Sequence, residues 1–556
     1  MRGEPVISQI QPLPPPQDTF SGRVTCGGAG LLLALVAACG PGETPSAPTT
    51  PNVVLISLDT LRADHLGAHG YERDTSPRLD ALAEQGVLFE EAYSSSSWTL
   101  PAHMTMLTGL PVSVHGACDD RLWTRSDETG APLPVPLHGT FISEHLRAAG
   151  YATAGFYSWK YLEPQFGFGP GFDEYERLGH SFYSHPVVGP LVEAAMAARD
   201  KEEYERLQGA YPELFKDGHP TAPEVVDRGL AWLTSNCRAN SDQPLFLFLH
   251  LFDIHDPYTP PPPFDRRFDS EYTGPIDGRH ITSPDSPVRG DMSARDLKHL
   301  VALYDGGIAW VDSEVGRFLD GLDELGMADD TLVIVTSDHG EEFYEHGHKT
   351  HRRQLYAESV HVPLIMRWPS ALPASRRIAG PVGLIDIAPT ILAAGGLVSP
   401  AAWPGRDLGE LARSGARGTG TYTSELLLFG DGPVPERQLA LRSPGRRGIL
   451  TARGQGTGKW EALDQESLPV EPGSALPNRP GSLPTAEILN ELSALRRSLA
   501  ARRAALPARS EVHAHLDAGD LRELNSLGYT GEGAPPGASP HDDQRLCLDG
   551  CIWPDE

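Results

Sequence analysis

Between residues 52 and 336 the chain alternates short, unbroken apolar runs with longer segments whose apolar residues recur every three or four positions. The runs 52–58, 245–249 and 332–336 are too short for buried helices and rich in β-branched or aromatic residues. They predict strands covered on both faces. Ala152-Thr153-Ala154-Gly155-Phe156 is a weaker fourth. The helical period is clearest over 296–325, with Gly326 as a stop signal. Pro101 suits the first turn of a helix, so a second helix begins near Trp98-Thr99-Leu100. This alternation predicts an α/β sheet flanked by helices. In such sheets ligands bind beyond the carboxyl ends of strands. Asp59, His255, Asp338 and His339 follow the ends of three separate runs.

The pattern changes towards both termini. From about residue 405, Gly/Arg/Pro-rich segments, an Ala/Leu/Arg-rich helical stretch (485–505) and a short amphipathic piece (517–528) predict a smaller C-terminal α+β subdomain over 405–529. Residues 530–556 read as a disordered tail. At the other end, the apolar run 27–38 is too short to span a bilayer as a mature helix. It closes on Val36-Ala37-Ala38-Cys39-Gly40, which resembles a bacterial lipobox. The expectation is a signal peptide over 1–39, lipidation of Cys39, a flexible tether over 40–51 and a catalytic domain over 52–404. That would hold the protein to a bacterial membrane, facing the periplasm or exterior. A soluble-secretion signal is the alternative, and the proline-rich stretch before the apolar run leaves the start codon open.

With 74 acidic against 46 basic residues and a formal net charge of −28, the chain lacks the basic footprint that nucleic acid requires. Its six cysteines show no metal-ligand spacing and are too few for a disulfide framework; only Cys547 and Cys551 could close a small loop.

Six segments then resemble, in order, the sulfatase family of the alkaline phosphatase superfamily. They are the opening strand 51–64, Thr99-Leu100-Pro101-Ala102-His103 with Leu107-Thr108-Gly109, and His255-Asp256-Pro257-Tyr258. Ser337-Asp338-His339-Gly340-Glu341, Tyr356 with His361-Val362-Pro363-Leu364, and Leu384–Thr390 follow. Leu524–Tyr529 resembles the family's C-terminal close. The resemblance implies a mixed, mostly parallel sheet and a divalent metal beside the nucleophile. Asp59 and Asp338 match two metal-ligand positions.

Three departures stand out. Thr60 replaces the second of a pair of aspartates, His339 replaces an asparagine, and Thr99 replaces the Cys or Ser that becomes formylglycine. The extra methyl on a threonine Cβ bars oxidation to an aldehyde. An Asp/His donor set favours Mn²⁺ or Zn²⁺ over the Ca²⁺ of all-oxygen sites, although Ca²⁺ stays open. The metal ligands implied are Asp59, Asp338, His339 and Thr99. On the resemblance, Thr99 would attack phosphorus as an alkoxide stabilised by the metal and form a phosphothreonine that water cleaves.

His255 matches a histidine that contacts substrate and can protonate the leaving group. His103 stands where the family has an arginine orienting the nucleophile. Lys160 either binds the anionic ester or is an exposed loop lysine. Within the cationic cluster 346–352, one of Lys349, His351 or Arg352 should hold the substrate's oxygens, and spacing does not choose. His115 and His250 are expected to be packed or hydrogen-bonded. The reading is a hydrolase of sulfate or phosphate esters, tilted towards phosphoesters or phosphonates. The alternatives are a catalytically degenerate relative that binds an anionic glycan or lipid, and a structural lipoprotein.

Overall fold

A computed structural model describes residues 50–124, 135 and 137–179, 201–210, 221–239, 242–279, 281–282 and 286–428. It also describes 436–444, 446–453, 459–462 and a few single positions up to 506. The expected signal peptide, Cys39, most of the tether, the stretch 517–528, Leu524–Tyr529 and the tail 530–556 lie outside these residues, as does most of 485–505.

The strands of the main sheet, in chain order, are β1 (Asn52–Leu58), β2 (Val87–Tyr93), β3 (Ala152–Tyr157), β4 (Glu174–Arg177), β5 (Leu245–Leu251) and β6 (Thr331–Thr336). After β6 come a small hairpin, β7 (Glu342–Phe343) and β8 (Lys349–Thr350), then β9 (His361–Val362), β10 (Leu364–Arg367) and β11 (Arg376–Gly383). The sheet runs β11-β2-β10-β6-β1-β5-β3-β4, with β9 paired to β2. It is mixed and mostly parallel, as expected; β10 runs antiparallel to both of its neighbours.

The apolar runs are unbroken because both faces are covered. Val53 and Leu55 of β1, Phe246 and Phe248 of β5, and Leu332 and Ile334 of β6 pack into one hydrophobic layer. Their alternates Val54, Ile56, Leu247, Leu249, Val333 and Val335 pack into the other. The helix Ala294–Glu324, whose Ser293 cap accepts a hydrogen bond from the Asp296 N–H, covers the second face. The helix Thr99–Thr108 lies on the first and is buried along its whole length.

Beyond residue 420 the structure is a four-stranded antiparallel sheet: β12 (Tyr422–Leu428), β13 (Glu436–Ser443), β14 (Arg446–Arg453) and β15 (Lys459–Ala462). This sheet is the described β part of the smaller C-terminal α+β subdomain expected from the sequence.

Candidate active site

Strands β1 and β6 are neighbours in register, Ser57 beside Thr336, so Asp59 and Asp338 leave the same edge of the sheet side by side. The turn after β6 passes so close to the chain at Glu358 that a Cβ on Gly340 would lie 1.9 Å from the Glu358 carbonyl oxygen. Only glycine fits there, and it lets Asp338 and His339 face β1. Next to Asp59, Thr60 has φ of 57°, a left-handed conformation strained for a β-branched residue. Its N–H points to Asp338 Oδ1 at 3.3 Å.

The sequence-predicted residues Asp59, Asp338, His339 and Thr99 come together, all fully buried. His339 Nε2 lies 3.6 Å from Asp59 Oδ1, 3.3 Å from Asp338 Oδ2 and 3.4 Å from Thr99 Oγ1. The other ring nitrogen, Nδ1, meets the Gly340 carbonyl at 2.9 Å. A carbonyl can only accept, so Nδ1 carries the proton and Nε2 presents its lone pair to the site. Asp59 Oδ1 and Asp338 Oδ2 are buried and accept no hydrogen bond. Buried bare carboxylate oxygens around a lone-pair nitrogen are the donor set a divalent cation would complete. Burial pushes the Asp59 carboxyl up to about 7, and burial together with the Asp59 charge raises Asp338.

His103 sits beside the carboxylates. Its Nδ1 meets Thr99 O at 3.0 Å and lies 3.5 Å from Asp338 Oδ2, while Nε2 meets Ser57 Oγ at 2.9 Å. Burial holds it neutral, down to about 3. His250, expected to be packed or hydrogen-bonded, makes its hydrogen bond at the site: its Nε2 meets Asp59 Oδ2 at 3.1 Å. It fixes one oxygen of Asp59 and leaves the other bare. Register could have found it, since Ser57 of β1 faces His250 of β5.

A second group lies against the first. His255, stacked on Phe252, has its ring centre 4.8 Å from that of His351, which in turn is 4.5 Å from His339. Of the three candidates in the cationic cluster, the structure brings His351 to this place. Lys349 Nζ is bound to the carbonyls of Ile281 (2.5 Å) and Val288 (2.6 Å). Arg352 grips both carboxylate oxygens of Asp120 at 3.0 and 2.8 Å and lies over the Trp98 ring, 4.0 Å from its centre. Lys160 is buried, 3.8 Å from Glu163, which corrects the exposed-loop alternative.

The four serines before Trp98 and Thr99 form a buried loop. Ser94 to Ser97 are buried and bonded to β12 and to the Arg352 turn. Ser424 Oγ donates to Ser94 O (2.6 Å), Glu425 N to Ser95 O (2.8 Å), Ser96 Oγ to Glu425 O (2.7 Å) and Arg352 N to Ser97 O (2.9 Å).

The sulfatase family model matches residues 51–397. The steryl-sulfatase of Mus musculus is 26% identical over 471 residues, covering 70% of this chain and 69% of that protein. The fold resembles the phosphonate monoester hydrolase of Agrobacterium radiobacter, with a TM-score of 0.58 at 21% identity over 82% of this chain and 96% of that one. It also resembles a protein solved with D-glucosamine-2-N,6-O-disulfate as its substrate, with a TM-score of 0.59 at 18% identity over 82% and 98%. The family is metal-dependent, and one ligand atom from each of Asp59, Asp338 and His339 lies within 4.8 Å of the others. Strand order, the joined motifs and the matched span lead to one conclusion: the chain belongs to the sulfatase family and is a hydrolase of sulfate or phosphate esters.

Proposed function

We propose that the chain hydrolyses phosphate or phosphonate esters with Thr99 as its nucleophile, and sulfate esters less well. The observation that carries this is the approach of Thr99 Oγ1 to His339 Nε2, itself beside two bare carboxylate oxygens. Asp59, Asp338 and His339 would hold the cation, Mn²⁺ or Zn²⁺ by their donor types. When bound, the cation would lower the cost of deprotonating the hydroxyl and of gathering charge on the transferred group.

The chain's own residues do the rest. His103 holds the first turn of the nucleophile's helix and stands against Asp338, and His250 keeps Asp59 turned inward. In the first step Thr99 Oγ gives up its proton to water and forms the bond to phosphorus, and the ester oxygen leaves with the bonding pair and takes up a proton from water. In the second, water takes the place of Thr99 on phosphorus and the hydroxyl regains a proton. His255 and His351, ring against ring beside His339, would face the transferred group. A sulfated or phosphorylated glycan is the substrate form favoured by likeness to the protein solved with a glucosamine disulfate. A lipid anchor at Cys39 completes the reading, tested by mass spectrometry of the mature N-terminus.

The test is a panel of aryl phosphate, phosphodiester, phosphonate and sulfate esters with the wild type and Thr99→Ala. Loss of turnover, together with a phosphothreonine trapped at residue 99 in acid-quenched wild type, supports the reading. Unchanged turnover by Thr99→Ala overturns it.

A further inference from the structure

We propose that Glu425, on β12 of the small C-terminal sheet, is a positioning residue for Thr99: it clamps both flanks of the nucleophile's helix at once. This rests on the Thr99 reading and deepens it, because it says what keeps that hydroxyl in place.

The helix Thr99–Thr108 is entered through the serine loop 94–97 and followed by a short helix, Val112–His115. Glu425 reaches both. Its N–H donates to Ser95 O at 2.8 Å and its carbonyl accepts from Ser96 Oγ at 2.7 Å, so its main chain holds the loop before the nucleophile. Its carboxyl accepts from the Ser113 hydroxyl at 3.1 Å and from the Ser113 N–H, so its side chain holds the segment after. Ser113 and Glu425 are 312 residues apart, and Ser96 and Glu425 are 329, so no local turn accounts for the meeting.

Two further observations make this hold matter. The nucleophile's helix has no cap of its own: Trp98 stands at its N-cap and supplies no side-chain hydrogen bond. The loop that leads into it is built of four buried serines, whose side chains carry too little apolar area to fix a conformation by packing. Its shape is therefore set by hydrogen bonds, and Glu425 supplies two of them. A carboxyl is also a costly way to fill a junction, since burial pushes it up to about 7. What it offers in return is an acceptor for both donors of Ser113. Thr99 Oγ1 lies 3.4 Å from His339 Nε2, and a small shift of its helix would spoil that approach. Misplacing a reacting group is costly in rate.

The test is a double-mutant cycle on the full chain loaded with Mn²⁺ or Zn²⁺: Glu425→Leu, Ser113→Ala and the pair, with Glu425→Gln as the conservative variant. The readouts are the single-turnover rate of phosphothreonine formation, kcat, KM and the melting temperature. Glu425→Leu should slow phosphothreonine formation and kcat about tenfold at unchanged KM. Ser113→Ala should slow them less, and the pair no more than Glu425→Leu alone. Glu425→Gln, which keeps an acceptor, should recover most of the rate. A change confined to the melting temperature overturns the proposal, and so do single losses that multiply in the pair. If Glu425→Leu fails to fold, Ser113→Ala carries the test, and an unchanged rate there overturns it. Should the cycle fail while the wild type still forms phosphothreonine, the Thr99 reading stands. A fully active Thr99→Ala with no phosphothreonine in the wild type overturns both.

Discussion

Asp305 and the pair Asp59/Asp338 are equally buried carboxylates with opposite fates. Asp305, on the helix Ala294–Glu324, takes His65 Nδ1 at 2.7 Å on one oxygen. On the other it takes the Tyr71 hydroxyl at 2.7 Å and Arg73 Nη1 at 2.5 Å. Both oxygens are answered by the chain itself, which ties the segment 65–73 to the helix. Asp59 and Asp338 are each answered on one oxygen and left bare on the other. The contrast teaches how to tell a carboxylate that builds from one that waits: the difference lies in which atoms the protein declines to satisfy.

The largest test of that contrast is Asp338→Asn. The amide oxygen can still accept from His339 N and Thr60 N, so the fold should persist. Activity should fall at least about 10³-fold, roughly 4 kcal/mol of barrier, measured as kcat/KM. The melting temperature of the metal-stripped protein should be unchanged or higher, because one of two facing charges is gone. A variant that unfolds instead would erase the distinction.

Asp305→Ala should do the reverse. It leaves His65 and Arg73 facing an uncompensated gap and should cost about 3–5 kcal/mol in urea unfolding. The hydrolytic rate of whatever fraction stays folded should change little. Next in size is chelation. Removing the metal should lower wild-type stability, with about 2.7 kcal/mol regained at a hundredfold excess over Kd. Asp338→Asn should show no such gain.

The smallest effect concerns a fourth buried acid. Glu425 of β12 is pushed up to about 7 by burial, against the backbone N–H of Ser113 and its hydroxyl at 3.1 Å, which favour the ionised form. Its folded-state value is raised, so wild-type stability should fall as pH rises from about 4.5 to 7. Glu425→Gln should therefore gain on the wild type by about 1–2 kcal/mol at pH 8 and not at pH 4.5, read from melting curves at both.

What the sequence displayed follows the same physics. Strands β1, β5 and β6 were legible because burial on both faces forbids polar interruptions, and a polar residue ending such a run marks the sheet edge. Strand β2 was missed because Glu90 and Glu91 break its apolar run. Both are answered across the sheet: Glu90 by Arg377 at 2.8 Å, Glu91 by Gly380 N at 3.2 Å. The choice among Lys349, His351 and Arg352 was invisible because Thr350 and Arg352 have φ near 60°. Such a backbone turns side chains close in sequence towards different neighbours. His250 follows the apolar run 245–249, and its partner Asp59 is 191 residues away, so no local pattern joins them.

The serine loop carries a consequence of another kind. Its brace, Ser424 on Ser94, joins positions 330 residues apart. Chains are made from the N-terminus, so Thr99 exists long before the strand that closes the loop ahead of it. For most of its synthesis the chain holds a nucleophile whose setting is unfinished, and contacts this distant form late. Hydrolytic competence then belongs to the nearly finished chain, and a fragment ending before Tyr422 would carry every residue of the first site and none of the brace that steadies it.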